Sequence, residues 1–327
     1  MAFPFLPYGV LPGGFKKKGQ AMDLVMNAWR PHLDQEERLQ TFNQWREDRL
    51  AEFNAAIWPR YHPQSGDWTG DATNFAEALT RFEIGVMVSE FFGDSPVLQQ
   101  KPQSPLAKHD IGTQLEHYVY EDVDAPGSNF HFYDKTMTDD EIRHFEKTMV
   151  DSITTNKHIG EKVTGHFWFK AEMQRPRPLH TALLFGYQPG FRSELSNRGQ
   201  HPSIVSGHAF QGVMMSCAVL ENWLESKSKP AADRLDALAQ YSVDVGDRRV
   251  FAGVHYPSDN IASWVLALSL IPEVFDDAGP IRDFVVKAIV EKSAVYHVVN
   301  KLYAAEASAG PAISLMAKYG LPVNVAA

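Results

Sequence analysis

Beyond Gly207 the apolar residues Phe210, Val213, Met214, Cys217, Leu220 and Leu224 recur every three or four positions. A chain hides such a stripe by winding it into a helix and packing that face inward. The pattern returns along the chain. Leu235, Leu238, Ser242 and Val245 form an inner face behind Pro230, which suits a helix start. Ile281, Phe284, Val285, Ala288 and Ile289 open another helix. Thr138 and Glu141 have capping-box spacing, and Ile142, Phe145, Met149 and Ile153 follow at helical intervals. Helical runs also occupy residues 34–60 and 72–93, and strand alternation is scarce throughout. The pattern predicts an all-α architecture, a helical bundle with its functional loops between helices.

At 327 residues the chain exceeds what one small core requires. One large domain or two closely packed ones is expected. Residues 1–135 read as an irregular arm, helices and loops packed on the core, with 94–135 mostly loop. Residues 136–310 read as the helical core, and 311–327 as a C-terminal tail. The net charge of −9 argues against broad nucleic-acid binding, which needs a basic surface. A basic pocket for a small anion can still sit in an acidic protein.

The single cysteine, Cys217, rules out an intramolecular disulfide and gives weak support to a reducing compartment. Residues 1–12 are apolar but broken by Pro4, Pro7 and Pro12. Lys16, Lys17 and Lys18 follow them, the reverse of a secretory signal. The apolar run from Ile261 to Ile271 ends at Pro272 and Glu273. It is shorter than the ~20 residues that span a bilayer. A soluble, cytoplasmic protein without a transmembrane segment is expected.

Three clusters carry chemistry. In the first, Lys170 lies near the end of a helix containing Phe167 and Met173. Arg175 and Arg177 follow, each before a proline and so biased toward extended backbone. Alone, this is what a solvated helix end looks like. In the second, His201, Pro202 and Ser203 lead to Ser206-Gly207-His208 at the head of the Phe210 stripe. Ser206 is placed as an N-cap, and Gly207 lets backbone approach a ligand. The helix start favours an anion, and His208 could exchange a proton with it. In the third, Arg249 falls on the inner stripe of Leu238, Ser242 and Val245, whereas Arg248 points about 100° away, one turn above Asp244. Arg249 is therefore assigned to the site, and Arg248 to a solvated face paired with Asp244. His255 and Asp259 bracket Tyr256, Pro257 and Ser258, a spacing that lets a carboxylate fix the imidazole tautomer.

In this order the clusters resemble the superfamily of type-2 phosphatidic-acid phosphatases, class A bacterial acid phosphatases and vanadium-dependent haloperoxidases. The family pattern is a lysine, six residues and Arg-Pro, then Pro-Ser-Gly-His, then Ser-Arg, five residues, a histidine, three residues and an aspartate. This chain has Lys170 with Arg177 and Pro178, then Ser206-Gly207-His208, then Arg249, His255 and Asp259. The likeness covers about residues 165–265. Val205 stands for the usual proline and Arg248 for the usual serine, and neither change removes an oxyanion ligand.

The resemblance implies a helical bundle of the acid phosphatase/haloperoxidase type and a phosphatase of phosphomonoesters. Lys170, Arg177 and Arg249 would bind the phosphoryl oxygens, with Ser206 and the Gly207 N–H completing the cradle. His255 would be the nucleophile, forming a phosphohistidine, and Asp259 would orient it. His208 would protonate the leaving group and then activate water. Three cations already neutralise the charge, so no metal is expected, and the partner is a small phosphorylated substrate.

The alternative is a haloperoxidase that holds vanadate in the same pocket at His255. His201-Pro202-Ser203 favours it, since that stretch resembles algal bromoperoxidases and would put His201 beside the vanadate. The length of the chain favours phosphatase, because haloperoxidases usually add helices around the shared core. A non-enzymatic helical module with a relic anion site is the least supported reading, because every catalytic position is filled.

Overall fold

The computed structural model describes residues 36–62, 67–68, 72–91, 166–186, 202–225, 232–251 and 253–323. Helix α1 spans Glu36–Ala56, and a two-residue antiparallel ladder follows, pairing Tyr61–His62 (β1) with Asp67–Trp68 (β2). Helix α2, Ala72–Val86, runs on into a π turn at Met87–Phe91. Then come α3 (His166–Met173), α4 (Pro178–Leu184), α5 (Gly207–Glu225), α6 (Ala232–Phe251), α7 (Pro257–Val274) and α8 (Ala278–Lys292). Helices α9 (Ala294–Leu302) and α10 (Gly310–Lys318) close the chain, with 3₁₀ turns at Tyr303–Ala305 and Ala307–Ala309 between them. The all-α expectation holds, with the short ladder the one addition among the described residues.

Helices α5, α6, α7 and α8 pack on one another as the centre of the bundle. Helix α7 is buried almost end to end, from Pro257 to Ile271, with only Ser269 partly exposed. An apolar helix without a polar face belongs at the middle of a bundle. Among the described residues, no helix is long and apolar enough to cross a membrane.

Helix α5 buries Phe210, Val213, Met214, Cys217 and Leu220 as its stripe predicts, but Leu224 is 42% exposed. The helix outlasts its packing partners by one turn. Helices α5 and α6 approach closely where Gly246 faces Ala209. A Cβ on Gly246 would lie 2.5 Å from the Ala209 Cβ. This approach brings the start of α5 against the end of α6, where the second and third clusters lie.

The periodicity misleads in one place. Helix α6 is buried on all sides from Tyr241 to Asp247, so Asp244 is not on a solvated face. Instead, Asp244 accepts a hydrogen bond from Gln240 at 2.6 Å. One turn on, Asp247 accepts from the backbone N–H groups of Ala294 (2.7 Å) and Val295 (3.2 Å), capping α9. In the wrapped part of the helix, Asp244 and Asp247 thus serve internal partners. The Arg248 side chain lies outside the described residues.

Of the stretch expected as a tail, the described residues 311–323 are part of the bundle. Pro311 opens α10 near its first turn, and the helix closes with Gly320 N–H on Ala317 and Leu321 N–H on Met316, both at 3.0 Å. Leu315, Met316 and Leu321 are buried. Tyr319 Oη donates to Glu52 of α1 at 2.9 Å. The expected helix from Thr138 and the loop over 94–135 lie outside the described residues, as do Pro230 and the boundary at 135.

Candidate active site

The first cluster is a turn held from both sides. Helix α3 ends as Gln174 takes a left-handed conformation (φ 53°), and Pro178 starts α4. Ser203 stitches the turn to the second cluster, its N–H donating to the Arg175 carbonyl (2.8 Å) and its Oγ to the Pro176 carbonyl (3.2 Å). Lys170 is buried and donates to the carbonyls of Pro202 (2.8 Å) and Ser203 (2.9 Å). Two of the three ammonium donors therefore fasten the loop that leads to Ser206.

Ser206 caps α5 as predicted, its Oγ accepting the Ala209 N–H at 3.3 Å. Its N–H donates to the Asp259 carbonyl at 3.3 Å, and its own carbonyl accepts from Ser263 Oγ at 2.9 Å. The second cluster is thus bonded to the start of α7. Gly207 has a packing reason to lack a side chain, since a Cβ would lie 2.7 Å from His166 Nε2. His208 is partly exposed. His201 lies outside the described residues.

Arg249 is buried in the last turn of α6. Its carbonyl accepts the N–H groups of Val254 (3.1 Å) and His255 (3.2 Å), with Gly253 in a left-handed conformation (φ 70°) between them. This tight turn delivers His255 directly after Arg249. Burial pulls the Arg249 guanidinium down to about 10, so it stays charged at neutral pH but is penalised for it. Such a cation gains when an anion reaches it.

His255 is oriented at both ring nitrogens. Nδ1 lies 3.1 Å from Asp259 Oδ2, and Nε2 lies 2.9 Å from Arg177 Nη1. Arginine can only donate. The tautomer that satisfies both contacts has Nδ1–H donating to the carboxylate and Nε2 accepting. The His255 imidazole is held well below its ordinary range, first by burial and then by Arg177, Lys170, Arg249 and His208. These surroundings favour the neutral ring, which donates Nδ1–H to the Asp259 carboxylate. The three cations and the second histidine all act on this one ring.

Asp259 also accepts the Tyr256 N–H on Oδ2 (3.0 Å) and Arg175 Nη1 on Oδ1 (2.9 Å). Arg175, in a stretch that taken alone looks like a solvated helix end, is completely buried. Its guanidinium lies 3.8 Å from the Tyr256 ring centre, and Nη2 donates to Glu83 at 2.7 Å. Glu83 comes from α2 and went unnoticed in the sequence. One signal was present: it is a lone carboxylate among Leu79, Thr80, Ile84 and Met87, all of them buried. Among the described residues, no group of three or more His, Cys, Asp and Glu could hold a metal ion.

The helical bundle thus brings together an N-capped turn, buried cations and a histidine oriented by Asp259. The family model of the PAP2 superfamily matches residues 159–278, a span that contains all three clusters. That match is consistent with the type-2 phosphatidic acid phosphatase superfamily, which is phosphatase-type. No match was found among curated proteins or among solved structures.

Proposed function

We propose that the chain hydrolyses small phosphomonoesters through a phosphohistidine on His255, without a metal ion. The observation that carries this reading is the geometry of His255, with Nδ1 3.1 Å from Asp259 Oδ2 and Nε2 2.9 Å from Arg177 Nη1, among cations and burial that lower its pKa. A neutral, oriented imidazole among cations is what attack on an anionic phosphoryl group needs.

In this reading Lys170, Arg177 and Arg249 take the phosphoryl oxygens, with the Ser206 turn and the Gly207 N–H beside them. Arg177 leaves the Nε2 lone pair as it engages the anion. Nε2 then forms a bond to phosphorus, and the phosphorus–oxygen bond to the leaving group breaks. The leaving oxygen keeps that electron pair and takes a proton from His208. Asp259 stabilises the positive charge on the ring. Water then attacks phosphorus and gives a proton to His208, and the nitrogen–phosphorus bond breaks. Inorganic phosphate leaves, and His255 is again neutral.

The donor set suits vanadate as well as phosphate, so one preparation should be assayed for both chemistries. A chromogenic phosphomonoester should turn over in the presence of a chelator, with orthovanadate as a competitive inhibitor. Halide oxidation by peroxide in added vanadate, with no phosphomonoester turnover, would replace this reading with the haloperoxidase one. Loss of hydrolysis in chelator, restored by zinc or magnesium, would overturn metal independence.

A further inference from the structure

We infer that Glu83 and Arg175 are positioning residues, which hold the Asp259 carboxylate so that one oxygen serves His255. This rests on the phosphohistidine reading for its kinetic consequence but not for its geometry. Both residues are completely buried, and Glu83 lies outside the family-matched segment.

The Arg175 guanidinium is divided between two carboxylates. Nη1 donates to Asp259 Oδ1 (2.9 Å) and Ser258 Oγ (2.8 Å), and Nη2 to Glu83 Oε2 (2.7 Å) and Thr80 Oγ1 (3.3 Å). Glu83 is itself fixed on both oxygens. Oε1 accepts the Ser258 N–H (2.7 Å) and the Tyr303 hydroxyl (2.6 Å), and Oε2 accepts Ser258 Oγ (2.7 Å). The guanidinium carbon lies 3.8 Å from the centre of the Tyr256 ring.

The consequence falls on Asp259. With Oδ1 held by Arg175, the carboxylate cannot turn, and Oδ2 stays directed at His255 Nδ1 and the Tyr256 N–H. Without Glu83, the buried guanidinium would have a single carboxylate partner. It would draw both Asp259 oxygens toward itself, since an unbalanced buried cation takes the nearest anion. His255 would lose the acceptor that sets its tautomer. Helix α2 and the turn after α9 thus act on the reacting nitrogen through two residues that touch no substrate.

A purely structural role predicts lower melting temperature with unchanged chemistry, so the test reads the tautomer itself. In full-length protein carrying ¹⁵N-labelled histidine, the His255 resonances are identified by their loss in His255→Ala. Wild type should show Nδ1 protonated and Nε2 bare. Glu83→Gln should mix the two tautomers and lower kcat about 10- to 100-fold, the usual scale for partners that orient a reacting group. KM should stay within about twofold, since no substrate contact is lost. In an Asp259→Asn background, Glu83→Gln should cost nothing further.

Tyr303→Phe removes one donor to Glu83 and is the milder companion, with a smaller shift of the same kind. If Glu83→Gln fails to fold, Tyr303→Phe decides. An unchanged His255 tautomer in a folded variant, or a full additional loss in the Asp259→Asn background, overturns the proposal. A wild type that hydrolyses no phosphomonoester would sink the functional reading alone, because the tautomer measurement needs no turnover.

Discussion

Arg177 Nη1 donates to His255 Nε2 at 2.9 Å while also donating to the Val254 carbonyl at 2.5 Å. A protonated His255 would set N–H against N–H at this contact. After burial, Arg177 is the largest cause that holds the imidazole well below its ordinary range.

A pH dependence follows with a definite sign. Activity needs neutral His255, so the acidic limb of kcat/KM should lie below about pH 6.5, the ordinary histidine value. Arg177→Gln should move that limb upward, besides lowering the maximum about 10²- to 10³-fold. The stability linkage runs the same way. A histidine with a depressed folded pKa contributes stability above its unfolded value, which is lost as pH falls through the folded one. An acidic limb that stays in place in Arg177→Gln would show that the contact does not govern His255.

Arg249 and Arg248 are adjacent but should behave differently. Arg249 is a buried cation whose charge is penalised by desolvation, and an arriving anion relieves that penalty. Arg249→Ala should cut turnover about 10²- to 10³-fold. On the helical phase read from the sequence alone, Arg248→Ala should cost far less. Equal losses in two folded variants would refute the phase assignment.

The core of the site was legible because its chemistry sits at fixed short spacings. His255 and Asp259 are four apart, and Ser206 immediately precedes a helix. Local geometry then dictates which groups can meet. What failed was anything decided by neighbours distant in sequence. Arg175 before Pro176 looks like an exposed helix exit, yet Glu83 lies 92 residues before it and makes burial possible. Asp244 follows the rule for an outer face, but α6 has no outer face there. Residues 311–323 carry short apolar spacing that contacts with α1, α7 and the preceding 3₁₀ turns build into the bundle.

The two histidines should leave different mutant signatures. His255→Ala should abolish phosphoenzyme formation in rapid quench with radiolabelled substrate, since among the described residues His255 is the imidazole bonded to Asp259. His208→Ala should spare substrates with very acidic leaving groups, which depart without a proton, and lose alkyl phosphates. Label trapped in His255→Ala but absent in His208→Ala would reverse the two roles.

The last prediction concerns two glycines on the same helix contact. A Cβ at Gly246 would meet Ala209 at its Cβ (2.5 Å) and Cα (2.7 Å). Ala209 stands one residue after His208, in the first turn of α5, and Gly246 one turn before Arg249. Backbone cannot swing aside as a side-chain tip can, so Gly246→Ala should push the start of α5 away from the end of α6. A loss of about 1–3 kcal/mol is expected for such overpacking. At Gly212 a Cβ would meet the Ser242 carbonyl at 2.8 Å, later in α5 and earlier in α6. Gly212→Ala should destabilise by a similar amount. The activity of the two variants should separate. At temperatures where both are folded, Gly246→Ala should lower kcat/KM well beyond Gly212→Ala, because only the first displaces His208 from Arg249. Adding Ala209→Gly removes the closest contact and should restore part of both stability and rate. Equal activity in the two variants, at matched melting temperature, would show that the α5–α6 approach supports the fold without setting the site.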